Sequence, residues 1–160
     1  MHQNDTIIKV GPIIVNVSPY GFFHYGKEFF DIAKAFQQSV HFSPVPYYLF
    51  CHAIELLLKA FLLAKGVPKK DLPRRDLYGH DLGKILRKAN ELGLGEVFTI
   101  TQEQGREIER ANKYYVSKGF EYFSVIKAVR AYPELPDLSV LKLMASTLLA
   151  KLEAICLNAD

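Results

Sequence analysis

Tryptophan is absent from this chain, and cysteine occurs only twice, at Cys51 and Cys156. No Cys-x-x-Cys and no Cys/His ligand spacing is present, so a zinc site is not expected. Both thiols sit in apolar stretches, where a buried free thiol is the default. A Gly-rich phosphate loop, a pair of catalytic carboxylates and a Gly-x-Ser-x-Gly elbow are missing too, and no cofactor is implied. The N-terminus lacks a basic region followed by a long apolar core, which argues against a secretory signal. The longest stretch without Asp, Glu, Lys or Arg runs from Ala35 to Ile54 and is interrupted by Gln37, Gln38, His41, Pro44 and Pro46. It is too polar and too broken to span a bilayer. The apolar run beyond it carries Glu55 and Lys59, so no membrane span is expected and a cytoplasmic location follows by default. Net charge is only +3, too small to argue for nucleic acid by itself.

The chain does have apolar bulk. Of 160 residues, 49% are hydrophobic, with 11 Phe and 9 Tyr, enough for one domain over 1–160 with a sizeable core. It also has a local charge asymmetry. Between Lys65 and Lys88 eight basic residues face only Asp71, Asp76 and Asp81. A basic patch of this kind attracts phosphates whatever the total charge. An ordinary solvated connection would look the same.

Periodicity predicts an all-α fold, an up-and-down bundle of four or five helices. Residues 1–20 read as an extended arm, with a β-branched stretch from Ile7 to Val17 that suits two short strands or a hairpin. A first helix is expected from Lys27 to Ser39. The second, from about Pro46 to Lys65, is apolar almost all round, with Gly66 as its stop. A helix of that kind must be covered by several neighbours, so it should be central. Asp81 is placed to cap a third helix that ends at Gly93 to Gly95. Thr101 and Gln104 form a capping-box pattern for a fourth helix running to about Val116, with Ser117-Lys118-Gly119 as its stop and the glycine supplying the turn. Phe120 to Tyr132 is ambiguous, a short helix at most. Asp137 should cap the last helix, from Leu138 to about Leu157.

Chemistry-bearing residues gather in two places. On the apolar helix, His52, Glu55 and Lys59 share one face. Unpaired burial of charge is expensive, so the Glu55–Lys59 pair needs a further partner, either His80 or Arg110. In the loop that follows, Arg74, Arg75, His80, Asp81 and Lys84 lie close together in sequence. Histidine suits proton abstraction from a 2′-hydroxyl, and the arginine fork suits a charged phosphorane. Arg75 and His80 are therefore the candidate catalytic pair, with Tyr78 or Asp76 orienting them. Glu55, Lys59, Arg74, Asp81, Lys84, Arg110, Tyr114 and Tyr115 are candidate nucleotide- or phosphate-binding residues. The alternatives are an internal ion-pair network for Glu55 and Lys59, a structural role for His80 beside the Asp81 cap, and core or dimer contacts for the tyrosines.

Ala53-Ile54-Glu55-Leu56-Leu57-Leu58-Lys59-Ala60-Phe61-Leu62, then Gly79-His80-Asp81-Leu82, then Asn112-Lys113-Tyr114-Tyr115 occur in an order that resembles the HEPN superfamily of nucleotide-associated helical domains. The likeness covers roughly Tyr47 to Tyr122. It implies a bundle of four or five helices that often dimerises. Some such domains are RNases or toxins of conflict systems; others are inactive companions of minimal nucleotidyltransferases, or binding modules. The active branch carries Arg, a polar residue, then His with four to six residues between Arg and His, which Arg75, Asp76 and His80 fit. Non-nucleolytic relatives also show Gly-His-Asp-Leu before the third helix. The first expectation is thus a dimeric RNA- or nucleotide-associated module of a prokaryotic toxin–antitoxin or nucleotidyltransferase-linked system, with an antitoxin or nucleotidyltransferase partner. The alternatives are a metal-independent endoribonuclease using Arg75 and His80, and a dimeric helical scaffold that binds no nucleic acid.

Overall fold

A computed structural model of the chain describes residues 15–37, 41–121 and 134–159. Among them are six α-helices, one 3-10 turn at Lys69–Asp71 and no strand. The helices are α1 (Pro19–Ala35), α2 (Val45–Ala64), α3 (Leu82–Glu91), α4 (Leu94–Val97), α5 (Gln102–Tyr115) and α6 (Leu138–Leu157).

Helix α2 is the centre of the molecule. It packs against α1, α3, α5 and α6, and thirteen of its twenty residues are buried. Ile54, Leu57, Leu58, Phe61 and Leu62 are wholly enclosed. Burying one such side chain stabilises the fold by roughly 1.5–3 kcal/mol. By length and composition α2 could cross a bilayer, but its apolar surface is taken up by the other helices. Its closest neighbour is α1. A Cβ at Gly26 would stand 2.9 Å from Leu57 Cγ and 3.3 Å from the Ala53 carbonyl, so only glycine lets the two backbones approach this far. Cys51 and Cys156 are free, buried thiols in this core.

Most helix boundaries follow the capping chemistry. Asp81 accepts from the Lys84 amide at the start of α3, and Asp137 from the Ser139 amide at the start of α6. At α5 both halves of the capping box form, Gln104 N–H to Thr101 Oγ1 and Thr101 N–H to Gln104 Oε1. Helix α2 starts one residue before Pro46 and ends at Ala64, with Gly66 left-handed behind it at φ 86°.

The first helix differs from its expected span. It runs from Pro19 to Ala35, not Lys27 to Ser39. Ser18 accepts from the Gly21 amide, and Pro19 occupies the first turn, where its missing N–H costs nothing. Read only as a chain break, Ser18-Pro19 is in fact a start signal. The arm is correspondingly shorter than 1–20. Val15 to Val17 are non-helical, and the rest of the expected hairpin lies outside the described residues. After α3 the chain does not simply stop: Gly93, left-handed at φ 91°, opens the four-residue α4.

The end of α5 is also built differently. The left-handed residue is Lys118, at φ 58°, and not Gly119. Lys118 N–H donates to the Tyr115 carbonyl and Gly119 N–H to the Tyr114 carbonyl, the paired bonds of a Schellman end. Gly119 is required for a different reason: a Cβ there would lie 3.1 Å from the Tyr114 carbonyl oxygen. Phe120 packs into the core, stacked on Tyr114 and Tyr47. Beyond Glu121, the segment expected to be ambiguous lies outside the described residues.

Candidate functional site

The polar face of α2 meets the loop before α3 and the C-terminal half of α5. Glu55 lies at the junction and is 1% exposed. Lys59 Nζ, one turn along, donates to Glu55 Oε1 at 2.6 Å and to the Gly79 carbonyl at 2.6 Å. Tyr115 Oη donates to Glu55 Oε2. His80 Nδ1 stands 3.1 Å from both carboxylate oxygens. Burial pushes the Glu55 carboxyl up, but hydrogen bonding from His52 and Lys59, the Lys59 charge and the Tyr115 hydroxyl together outweigh it and bring its pKa to about 2. Glu55 is therefore an anion at any physiological pH. Tyr115, enclosed and facing that anion, is pushed far up and stays protonated.

These charges fix the proton positions. An ionised carboxylate only accepts, so His80 carries its proton on Nδ1. Tyr115 has one proton and gives it to Glu55. His52 Nδ1, 2.7 Å from Tyr115 Oη, must then donate to it. His52 is held by rings on two sides, stacked with Tyr48 at 5.6 Å and edge-on to Phe29 at 4.4 Å. The result is a connected set of buried polar groups, and no buried side-chain nitrogen or oxygen among the described residues lacks a partner.

His80 differs from the rest of the set in exposure. Its side chain is 61% accessible. With Nδ1 committed to Glu55, Nε2 is left as a proton acceptor beside a cleft of about 360 Å³. That cleft is lined by Arg75, Tyr78, His80, Lys84, Lys118 and Glu121 among others. The Arg75 side chain makes no ion pair among the described residues. Lys84 Nζ reaches the Arg75 and Asp76 carbonyls at 3.1 and 3.5 Å. Asn112 on α5 accepts from the Leu82 amide and donates to Asp81 Oδ1. Lys59, Glu55, Lys84 and Asn112 thus pin the loop at successive points.

The expected site residues separate into groups. Arg75, His80, Asp81, Lys84 and Tyr115 line one cleft. Glu55 and Lys59 lie behind it, too buried to touch a ligand, and act on the loop instead. Asp81 is occupied as helix cap and as partner of Asn112. Of the two partners considered for Glu55 and Lys59, His80 is the one present. Arg110 instead pairs with Glu107 at 2.8 Å, and Glu107 also accepts from the Asp137 amide at 2.7 Å; this ties α5 to α6, away from the cleft. Arg74 pairs with Asp76 at 2.6 Å and Asp71 at 3.5 Å. Asp76 is therefore turned to Arg74 and does not orient His80, a task that falls to Glu55. Tyr114 stacks on Phe120. His52 and the Gly79 carbonyl were not among the candidates. The signal for His52 was its place three residues before Glu55 on the same face; nothing in the sequence marks a backbone carbonyl.

No family model, curated protein or solved structure matches this chain. The site stands on its geometry.

Proposed function

We propose that this is a HEPN-like helical domain that binds RNA or a nucleotide phosphate in the Arg75–His80 cleft. In this reading it is a homodimeric module of a prokaryotic toxin–antitoxin or nucleotidyltransferase-linked system, working in the cytoplasm with an antitoxin or nucleotidyltransferase partner. The observation that carries the reading is the guanidinium of Arg75, without an ion-pair partner among the described residues, on the same cleft as a solvent-facing imidazole. A fork of donors with no carboxylate to satisfy it is suited to a phosphate.

A second reading, metal-independent RNA cleavage, is favoured by one specific feature: the buried Glu55 anion that holds His80 with Nε2 free. In that chemistry Nε2 takes the proton of a ribose 2′-hydroxyl. The 2′-oxygen bonds to phosphorus as the P–O5′ bond breaks, and the 5′-oxygen leaves with a proton from solvent. The products are a 2′,3′-cyclic phosphate and a 5′-hydroxyl. Arg75 offsets the charge that builds on the phosphorane oxygens.

Purified protein incubated with RNA and EDTA separates the two. Cleavage that falls at least 100-fold in His80→Ala, and that leaves cyclic phosphate ends, establishes the enzyme. Salt-dependent binding without cleavage, weakened by Arg75→Ala, establishes the module. Neither binding nor cleavage overturns both readings and leaves a scaffold.

A further inference from the structure

The Arg75–His80 cleft has a neighbour. A second hollow of about 350 Å³ lies along the outer face of α3, lined by Asp76, Leu77, Tyr78, Lys84, Arg87, Lys88 and Glu91. The two share Tyr78 and Lys84, so they are consecutive parts of one surface depression with the Tyr78 side chain between them. Tyr78 is half-buried, its body resting on the core. Lys88 lies near enough to Tyr78 for the two to interact electrostatically.

The charges along this depression follow a pattern. Its acids are mostly engaged: Asp76 by Arg74 at 2.6 Å, Glu91 by Lys88 at 3.0 Å, Asp81 by the α3 cap and Asn112. Glu121, at the far end of the first cleft, is the exception. Two guanidinium groups, Arg75 in the first cleft and Arg87 in the second, have no ion pair among the described residues. Guanidinium, aromatic ring, guanidinium is the order that a single nucleic-acid strand meets as phosphate, base, phosphate. A duplex holds its bases stacked inside and has no use for the ring between the two hollows.

Building on the reading above, we propose that the ligand is single-stranded RNA laid across both hollows. Tyr78 stacks on one base, Arg75 contacts a phosphate beside His80, and Arg87 contacts a phosphate beyond Tyr78. Arg87 and Tyr78 form a binding subsite outside the reacting centre, and Lys84, anchored on the loop carbonyls, holds the ridge between the two.

The test is fluorescence anisotropy with a labelled, 2′-O-methylated single strand of about twelve nucleotides, which binds but lacks the 2′-hydroxyl needed for cleavage. Arg87→Ala is expected to weaken binding about tenfold and to flatten the log–log salt dependence by about 0.7, the share of one phosphate contact on a single strand. Tyr78→Leu, which keeps apolar volume against the core but removes the aromatic face, is expected to weaken it at least fivefold, the lower end for loss of one stacked base. A duplex of equal length is expected to compete at least tenfold less well. Circular dichroism of each variant at the wild-type melting temperature shows that the fold is kept. Wild-type affinity in Arg87→Ala and Tyr78→Leu, with Arg75→Ala still impaired, overturns the subsite and spares the first cleft. A duplex that competes as well as the single strand also overturns it. Absence of any RNA binding overturns the subsite and the reading beneath it together.

Discussion

At the scale of single residues, Glu55 holds the site together. It accepts from Lys59, Tyr115 and His80 at once, and each donor comes from a different place in the fold: its own helix, α5 and the loop. Removing its charge leaves the Lys59 ammonium, itself 6% exposed, facing a neutral amide. Glu55→Gln is therefore expected to destabilise the protein by about 3–5 kcal/mol, read as a lower urea midpoint. Adding Lys59→Met on top should recover part of that loss, because the stranded cation is gone; if the double variant is as unstable as the two single losses combined, the ion pair is not the cause. Acid acts on the same residue. The folded-state pKa of about 2 lies below the ordinary carboxylic value of 4.5, so its contribution is complete above pH 4.5 and declines as pH falls towards 2. The difference corresponds to roughly 3 kcal/mol. Glu55→Gln should flatten the acid limb of stability against pH in that window.

Helices were legible in the sequence wherever side-chain chemistry marks an end. Asp81, Thr101 with Gln104, and Asp137 each signal a start, and α3, α5 and α6 begin where those residues say. The centrality of α2 was legible from its lack of a polar side. Two errors share one cause. Ser18-Pro19 and Ser117-Lys118-Gly119 were assigned by residue type, whereas the backbone uses each residue for a particular bond: Ser18 as cap, Lys118 as the left-handed residue, Gly119 as the close contact. In the site, the pairing of Glu55 with His80 was one of two options the sequence offered, since sequence spacing cannot tell which distant residue folds over a helix face. The Gly79 carbonyl was invisible because backbone acceptors carry no sequence signal. One consequence at the level of elements is measurable. Lys118 bears the steric cost of a left-handed residue, about 1 kcal/mol for a side chain with a Cβ. Lys118→Gly should return close to that amount in chemical denaturation, whereas Gly119→Ala, which drives a Cβ against the Tyr114 carbonyl, should lower stability.

For the molecule as a whole, one apolar rod serves both as core and as the foundation of the cleft. Cys51 on α2 and Cys156 on α6 report on that core from two sides. Both are 0% exposed, and burial pushes the Cys51 thiol far up, so neither should react with an aromatic disulfide reagent while the protein is folded. Their modification rates should be equal to each other and should follow global unfolding as urea rises. A fast phase from one thiol would mean that its helix separates from the bundle alone.

Lys59 joins the most deeply enclosed helix to the carbonyl beside the most accessible imidazole. Its tie makes the loop's shape an inherited property of the interior. Residues at the rim, such as Arg75, Tyr78 and Arg87, can be exchanged without disturbing that shape. Recognition can therefore drift among descendants of this chain while the frame that presents it stays the same.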